Sequence, residues 1–123
     1  MKTSELTGAA LDWAVAQAEG NVRLQYDSRE GLIINNILGW IPYRPSAAWQ
    51  QGGPIIEREK VDLFTEKQTY PESWCASVAR DQSGHSLIGW RLHQYGPTPL
   101  IAAMRCFVAS RLGDEIEIPE ELK

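Results

Sequence analysis

SWCASVARDQSGHSLIGWRLHQYGPTPLIAAMRCFVASRLG, residues 73–113, contains the change of rhythm that decides the fold. Over 73–80, Trp74, Ala76 and Val78 fall on one face of an extended chain and Cys75, Ser77 and Ala79 on the other. A period of two marks a β-strand. The run Asp81-Gln82-Ser83-Gly84 is turn chemistry, and SLIGWRLH (86–93) reads as the return strand. After residue 97 the period becomes helical. Thr98 is placed to cap free N–H groups, and Pro99 occupies a first helical position, where its missing N–H costs nothing. Leu100, Met104, Phe107 and Val108 line one face, with Ile101 and Leu112 adjoining, while Arg105 and Arg111 point elsewhere. Gly113 is the expected stop.

Upstream, KVDLFTEK (60–67) puts Val61, Leu63 and Thr65 on one face, which completes a meander of three antiparallel strands. IPYRPSAAWQQGGP (41–54) holds three Pro and an adjacent Gly pair. Pro45 disfavours helix at Arg44, and Ser46 is a natural N-cap for a short helix AAWQQ. Gly52-Gly53 should break that helix, and Pro54 fits the first position of a new turn, PIIEREK. Two helical pieces with a flexible joint are expected. LIINNILGW (32–40) fits a short strand followed by a loop, or a short helix. VRLQY (22–26) alternates like a strand, and 27–31 is turn-like. SELTGAALDWAVAQAE (4–19) reads as a helix capped by Thr3 or Ser4 and stopped by Gly20, with Leu6, Ala10 and Trp13 in one apolar line. The tail DEIEIPEELK (114–123) is acidic and reads as a loosely held, solvated end. The order gives an α+β fold: a three-stranded or slightly larger antiparallel sheet with N- and C-terminal helices, α-β-α sandwich-like, in a single domain over 1–123.

A chain of 123 residues has room for one domain and one core. Its 43% hydrophobic and 23% charged residues are ordinary globular usage, which excludes disorder. The net charge of −4 works against DNA, RNA and anionic membranes. Much of that charge sits in the last ten residues, so the body of the domain is closer to neutral and can accommodate an anionic ligand. No apolar run approaches the ~20 residues of a membrane span, and no signal-peptide region follows Lys2. Cys75 and Cys106 form no CxxC pair and read as reduced thiols of a cytosolic protein. There are five Trp. Trp13, Trp74 and Trp90 lie on apolar helix or strand faces and are most simply core. Trp40 and Trp49 flank the Pro/Gly-rich segment, where packing explains them less well.

The search for catalytic chemistry yields little. The serines around His85 lack a GxSxG pattern and fall in a hairpin turn, and both cysteines sit at packed, inert positions. His85 and His93, on one extended strand, lie ~26 Å apart and form no zinc pair. Glu57 and Glu59 do not face each other on a helix, and no P-loop or GxGxxG occurs. No enzyme activity, metal or cofactor is expected. The 12 Lys and Arg are scattered, which disfavours nucleic acid as a partner. Binding remains. Tyr43, Arg44 and Trp49 bracket the Pro-rich segment, and the helix at Thr98 presents free N–H groups after a YGPTP loop. An aromatic stack, a cation and a helix start make a nucleotide or anion pocket. The candidate ligand-binding residues are Tyr43, Arg44, Trp49, Arg58, Tyr95, Thr98 and Arg105. Exposed Trp would equally anchor another protein, or a second copy in a homo-oligomer.

Two stretches, YRPSAAWQQGGPIIERE (43–59) and YGPTPLIAAMRCFVASRLGDEIEIPEEL (95–122), resemble the NinX family of tailed-phage proteins, a family of unknown function. The opening MKTSELTGAALDWAVAQAEG (1–20) is similar to that family's start. Together they cover a little over half the chain. Residues 60–94 share only a Trp-bearing strand, and Ala47-Ala48 stands where a Thr-Asp pair is common. More loosely, the chain is similar to phage α-β-α sandwich domains. The resemblance implies a phage or prophage origin and a product in the host bacterial cytoplasm, and it brings no catalytic residues. The expectation is an accessory protein that acts by binding, one version being sequestration of an anionic host ligand such as a nucleotide signal in counter-defence.

Overall fold

The architecture follows from two ends of the chain that pack against each other. The structure is a computed structural model and describes residues 1–20, 23–36, 39–65, 73–79 and 91–123. A 3-10 turn, Thr3–Glu5, precedes helix α1, Gly8–Glu19. Strands β1 (Leu24–Asp27), β2 (Gly31–Asn36) and β3 (Gly39–Pro42) follow, then α2 (Trp49–Glu59). Strands β4 (Asp62–Thr65), β5 (Trp74–Ala79) and β6 (Arg91–Gly96) lead to α3, Pro99–Leu112. The fold is α+β with N- and C-terminal helices. The expected meander is the sheet β4-β5-β6, and a second antiparallel sheet, β1-β2-β3, joins it.

α3 is the pivot. It packs on β5 and β6, while α1 and α2 lie against α3 and α1 also meets β2. Leu6, Leu11 and Val15 from the N-terminal part and Met104, Phe107 and Val108 from α3 are fully buried together. Each contributes on the order of 1.5–3 kcal/mol by leaving water. α3 starts and stops as expected: Thr98 Oγ1 accepts from Ile101 N at 3.1 Å, and Gly113 closes the helix.

Three local expectations are corrected and one open alternative is decided. The helix expected over 4–19 is interrupted. The Leu6 carbonyl is taken by Arg105 Nε at 2.9 Å, and the Thr3 hydroxyl donates to Gly113 O at 2.7 Å. Those bonds hold 3–6 outside α1, and Gly8, at φ +54, makes the left-handed step into it. Second, α2 is one helix rather than two. Its N-cap is Ala48, not Ser46, and Gly52, Gly53 and Pro54 lie within it. Gly52 serves close approach here: a Cβ there would collide with Pro45 O and lie 2.7 Å from Leu100 Cδ2. Third, of the two alternatives open for 32–40, the strand is the one found at 32–36, and β2 pairs β1 and β3 on its two sides. Fourth, the tail is held in place. Thr3 N donates to Asp114 O at 2.8 Å, Met1 and Ile116 exchange backbone bonds at 3.0 Å, and Ile118 is buried in the core.

The return strand expected over 86–93 runs on to Gly96, which pairs with Trp74. A Cβ on Gly96 would lie 2.7 Å from Ala102 N, so β6 ends where α3 crosses it. The turn at 81–84, His85, Trp90, the first five residues of that expected strand, Val22, and Glu66 and Lys67 lie outside the described residues.

Candidate functional site

A cleft of about 280 Å³ opens where α1 begins. Three segments build it. α1 supplies Gly8, Ala9 and Asp12, the β1–β2 turn supplies Glu30 and Leu32, and the chain after β3 supplies Tyr43, Arg44 and Ser46. The β1–β2 turn is set by Asp27, whose Oδ1 accepts from Arg29 N at 2.7 Å. This places the Glu30 carbonyl to receive Arg44 Nη2 at 3.4 Å. The segment after β3 is fixed by its own bonds. Tyr43 N donates to Leu32 O at 2.8 Å, and Arg44 N donates to Gln51 Oε1 at 2.5 Å. Gln51 Nε2 donates back to Pro42 O at 2.8 Å, so the first turn of α2 clamps the end of β3.

Asp12 forms one wall and is only 4% exposed. Its Oδ1 accepts from Ser46 N at 2.9 Å. Burial raises its carboxyl to about 6, against the opposing pull of the Ser46 hydrogen bonds and the Arg44 charge. Near pH 6 it is therefore part acceptor and part donor, while at pH 7 it is mostly ionised. Burial also pushes the Tyr43 phenol well above its ordinary value, so that ring stays neutral. A carboxyl shifted this far, in a cleft and beside a cation, marks a functional candidate.

Of the seven residues singled out in the sequence, this cleft brings together Tyr43 and Arg44. Trp49 begins α2 and is 54% exposed, outside the cleft lining. Thr98 is occupied in capping its own helix. Arg105 joins three elements by donating to Leu6 O and, at 2.7 Å, to Tyr95 O. Burial lowers its pKa. The Tyr95 ring is half exposed at the end of β6. Arg58 hydrogen-bonds Glu19 and Glu59 and stacks 5.6 Å from the Phe107 ring centroid, with Arg111 at 5.3 Å. Those bonds to Glu19 and Glu59 raise the Arg58 pKa. The junction between 43–58 and the first turn of α3 is occupied by Gly52 against Leu100.

Asp12 and Ser46 were not among the sequence candidates. Asp12 did carry a signal: it is the single acid inside the otherwise apolar and neutral run GAALDWAVAQA. A second cleft of about 290 Å³ lies on the other side of Leu32, between Trp13 and Gln17 of α1, Gln25 and Tyr26 of β1, and the chain end at Glu121 and Leu122. Among the described residues no group of three His, Cys, Asp or Glu is placed to hold a metal, and no helix is long and apolar enough to cross a membrane.

The family model described as "Bacteriophage P22, NinX" matches residues 2–111. The chain belongs to that family. The NinX match spans all three helices to within one residue of the end of α3 and includes every residue lining the Asp12–Arg44 cleft. The chain beyond Arg111, with Glu121 and Leu122 of the second cleft, lies outside it. A comparison of this NinX-family chain with curated proteins returned no match. NinX membership makes it a phage protein.

Proposed function

We propose that this phage protein works in the host cytoplasm by binding rather than catalysis. In this reading the Asp12–Arg44 cleft captures a small host-made ligand with an anionic group, a nucleotide signal being the class that fits, and so blunts a host defence. The observation that carries the reading is Arg44 on the cleft wall, held at its backbone N–H by Gln51 and at its guanidinium by the Glu30 carbonyl. Thr7, the N-cap of α1, makes no side-chain capping hydrogen bond, and Gly8 and Ala9 line the cleft. Both features favour an anion. Asp12 asks the same ligand for a hydrogen-bond donor, which a base or a ribose hydroxyl supplies. The test is calorimetry against a panel of cyclic and linear nucleotides with the native chain and Arg44→Ala. The expected result is heat from at least one compound and a loss of tenfold or more in affinity on substitution. Silence across the panel, with an unchanged infection phenotype for Arg44→Ala, ends the reading.

The second reading is a protein interface. Trp40 and Trp49, 50% and 54% exposed, favour it, since half-exposed Trp is the commonest anchor at such surfaces. A pull-down retaining one stoichiometric host protein, and losing it with Trp49→Ala, distinguishes this from ligand capture.

A further inference from the structure

We infer that the two clefts beside α1 are the two ends of one groove, and that its ligand is a nucleotide lying across Leu32, with its phosphate at Arg44 and its base at Trp13 and Tyr26. The inference rests on the small-ligand reading and adds the second subsite. Leu32 lines both clefts and is 5% exposed, so it is a floor shared by the two. Its partner across the β1–β2 ladder is Tyr26, so the rung that floors the groove also presents the aromatic ring at its far end. On the helix side, Asp12 lines one cleft and its neighbour Trp13 the other. Each cleft alone, at about 280 and 290 Å³, falls just short of the roughly 300 Å³ at which ligand sites begin, and the two together lie within the range.

The chemistry divides along the same line. The cation lies at the Arg44 end, and the residues lining the other cleft include no Lys or Arg. That other cleft offers the Trp13 and Tyr26 faces for stacking a planar ring, and the amides of Gln17 and Gln25 to read its edge. Glu121 adds a carboxylate that accepts from ring N–H or amino groups and repels phosphate. Asp12 and Glu30 also line the Arg44 cleft, so the orientation of a nucleotide is set by the Arg44 charge, with those two carboxylates accepting from ribose hydroxyls. The edge-reading carboxylate comes from the tail beyond the family match, so relatives that share residues 2–111 but differ in the tail should share the phosphate end and differ in base choice.

The experiment is calorimetry of the full chain with AMP, GMP, CMP, UMP and ribose 5-phosphate, repeated with Tyr26→Ala and Gln17→Ala. Both positions are exposed, and thermal melts check that the variants fold. The expected result is at least one nucleotide binding about tenfold or more tighter than ribose 5-phosphate, as one base stack provides. Tyr26→Ala and Gln17→Ala should remove that advantage and leave ribose 5-phosphate affinity unchanged, while Arg44→Ala weakens both classes. Nucleotides binding no better than ribose 5-phosphate, or Tyr26→Ala and Gln17→Ala without effect, overturns the shared groove. The small-ligand reading then survives only if Arg44→Ala still weakens binding. No heat from any of the five compounds overturns the shared groove, and the small-ligand reading then stands or falls on the wider cyclic and linear panel.

Discussion

Replacing Asp12 with Asn removes a charge from the interior while keeping an oxygen to accept from Ser46 N. The carboxyl ordinarily titrates at 3.8 and is raised to about 6 in the fold, chiefly by burial. A folded chain whose acid holds its proton more tightly than the unfolded chain is favoured at low pH. That contribution is complete below pH 3.8 and is lost as the pH rises through about 6. The displacement corresponds to about 3 kcal/mol between the two ends of the window. For a domain of this size, that is roughly 10 °C in Tm. Melts followed by circular dichroism from pH 4 to 7.5 on the native chain and Asp12→Asn isolate the group, because other carboxylates titrate in both. Relative to the variant, the native chain should lose about 2 kcal/mol between pH 4 and 7.5, most of it below pH 6. Parallel Tm curves, separated by a constant offset, would refute the buried-carboxylate account of the cleft.

Two glycines one residue apart should respond in opposite directions. Gly52→Ala drives a Cβ into Pro45 O and Leu100 and should cost about 1–3 kcal/mol in a urea titration, outweighing its helix-propensity gain. Gly53→Ala meets only Trp49 Cε3 at 3.9 Å and should stabilise by about 0.5–1 kcal/mol. Thr98→Ala removes the cap bond to Ile101 N and should cost about 1 kcal/mol, whereas Thr7→Ala, with no cap bond to lose, should be nearly silent in the same titration. Ile118→Ala should lower stability by about 2–4 kcal/mol, which a free tail would not do. Glu59→Gln should cost under about 1 kcal/mol, and less in high salt. Burial pushes that carboxyl up, but its hydrogen bonds with Arg58 and Arg111 outweigh burial and hold it below the ordinary value.

α3 was legible because Thr98, Pro99 and Gly113 are local signals, read from neighbours in the chain. The strands of the sheet β4-β5-β6 were legible for the same reason, their alternation being a property of consecutive residues. The failures share a different cause. Gly52 breaks a helix by intrinsic propensity, yet here it is the residue that lets α2 approach Pro45 and α3, and its partners lie 7 and 48 residues away. The tail looked solvated because its acids dominate its composition. Ile116 and Ile118, two apart, carried a strand-like period that marks the inward side. In the candidate site, Tyr43 and Arg44 were found by residue type. Asp12 was passed over because its contribution comes from Ser46, 34 residues on, which nothing in α1 announces.

The packing of α1 on α3 also governs the order in which the chain can fold. α1 leaves the ribosome before α3, and Leu11 and Val15 bury their surface in one cluster with Met104 and Phe107, which follow about 90 residues later. At typical synthesis rates of 5–20 residues per second, roughly ten seconds separate the two helices. During that interval α1 has β2 but not α3 to pack against, and the core closes only when α3 has been made. Closure of this core therefore waits for α3 and for the closing of a long loop, and the interval before it is when the chain is most exposed to aggregation.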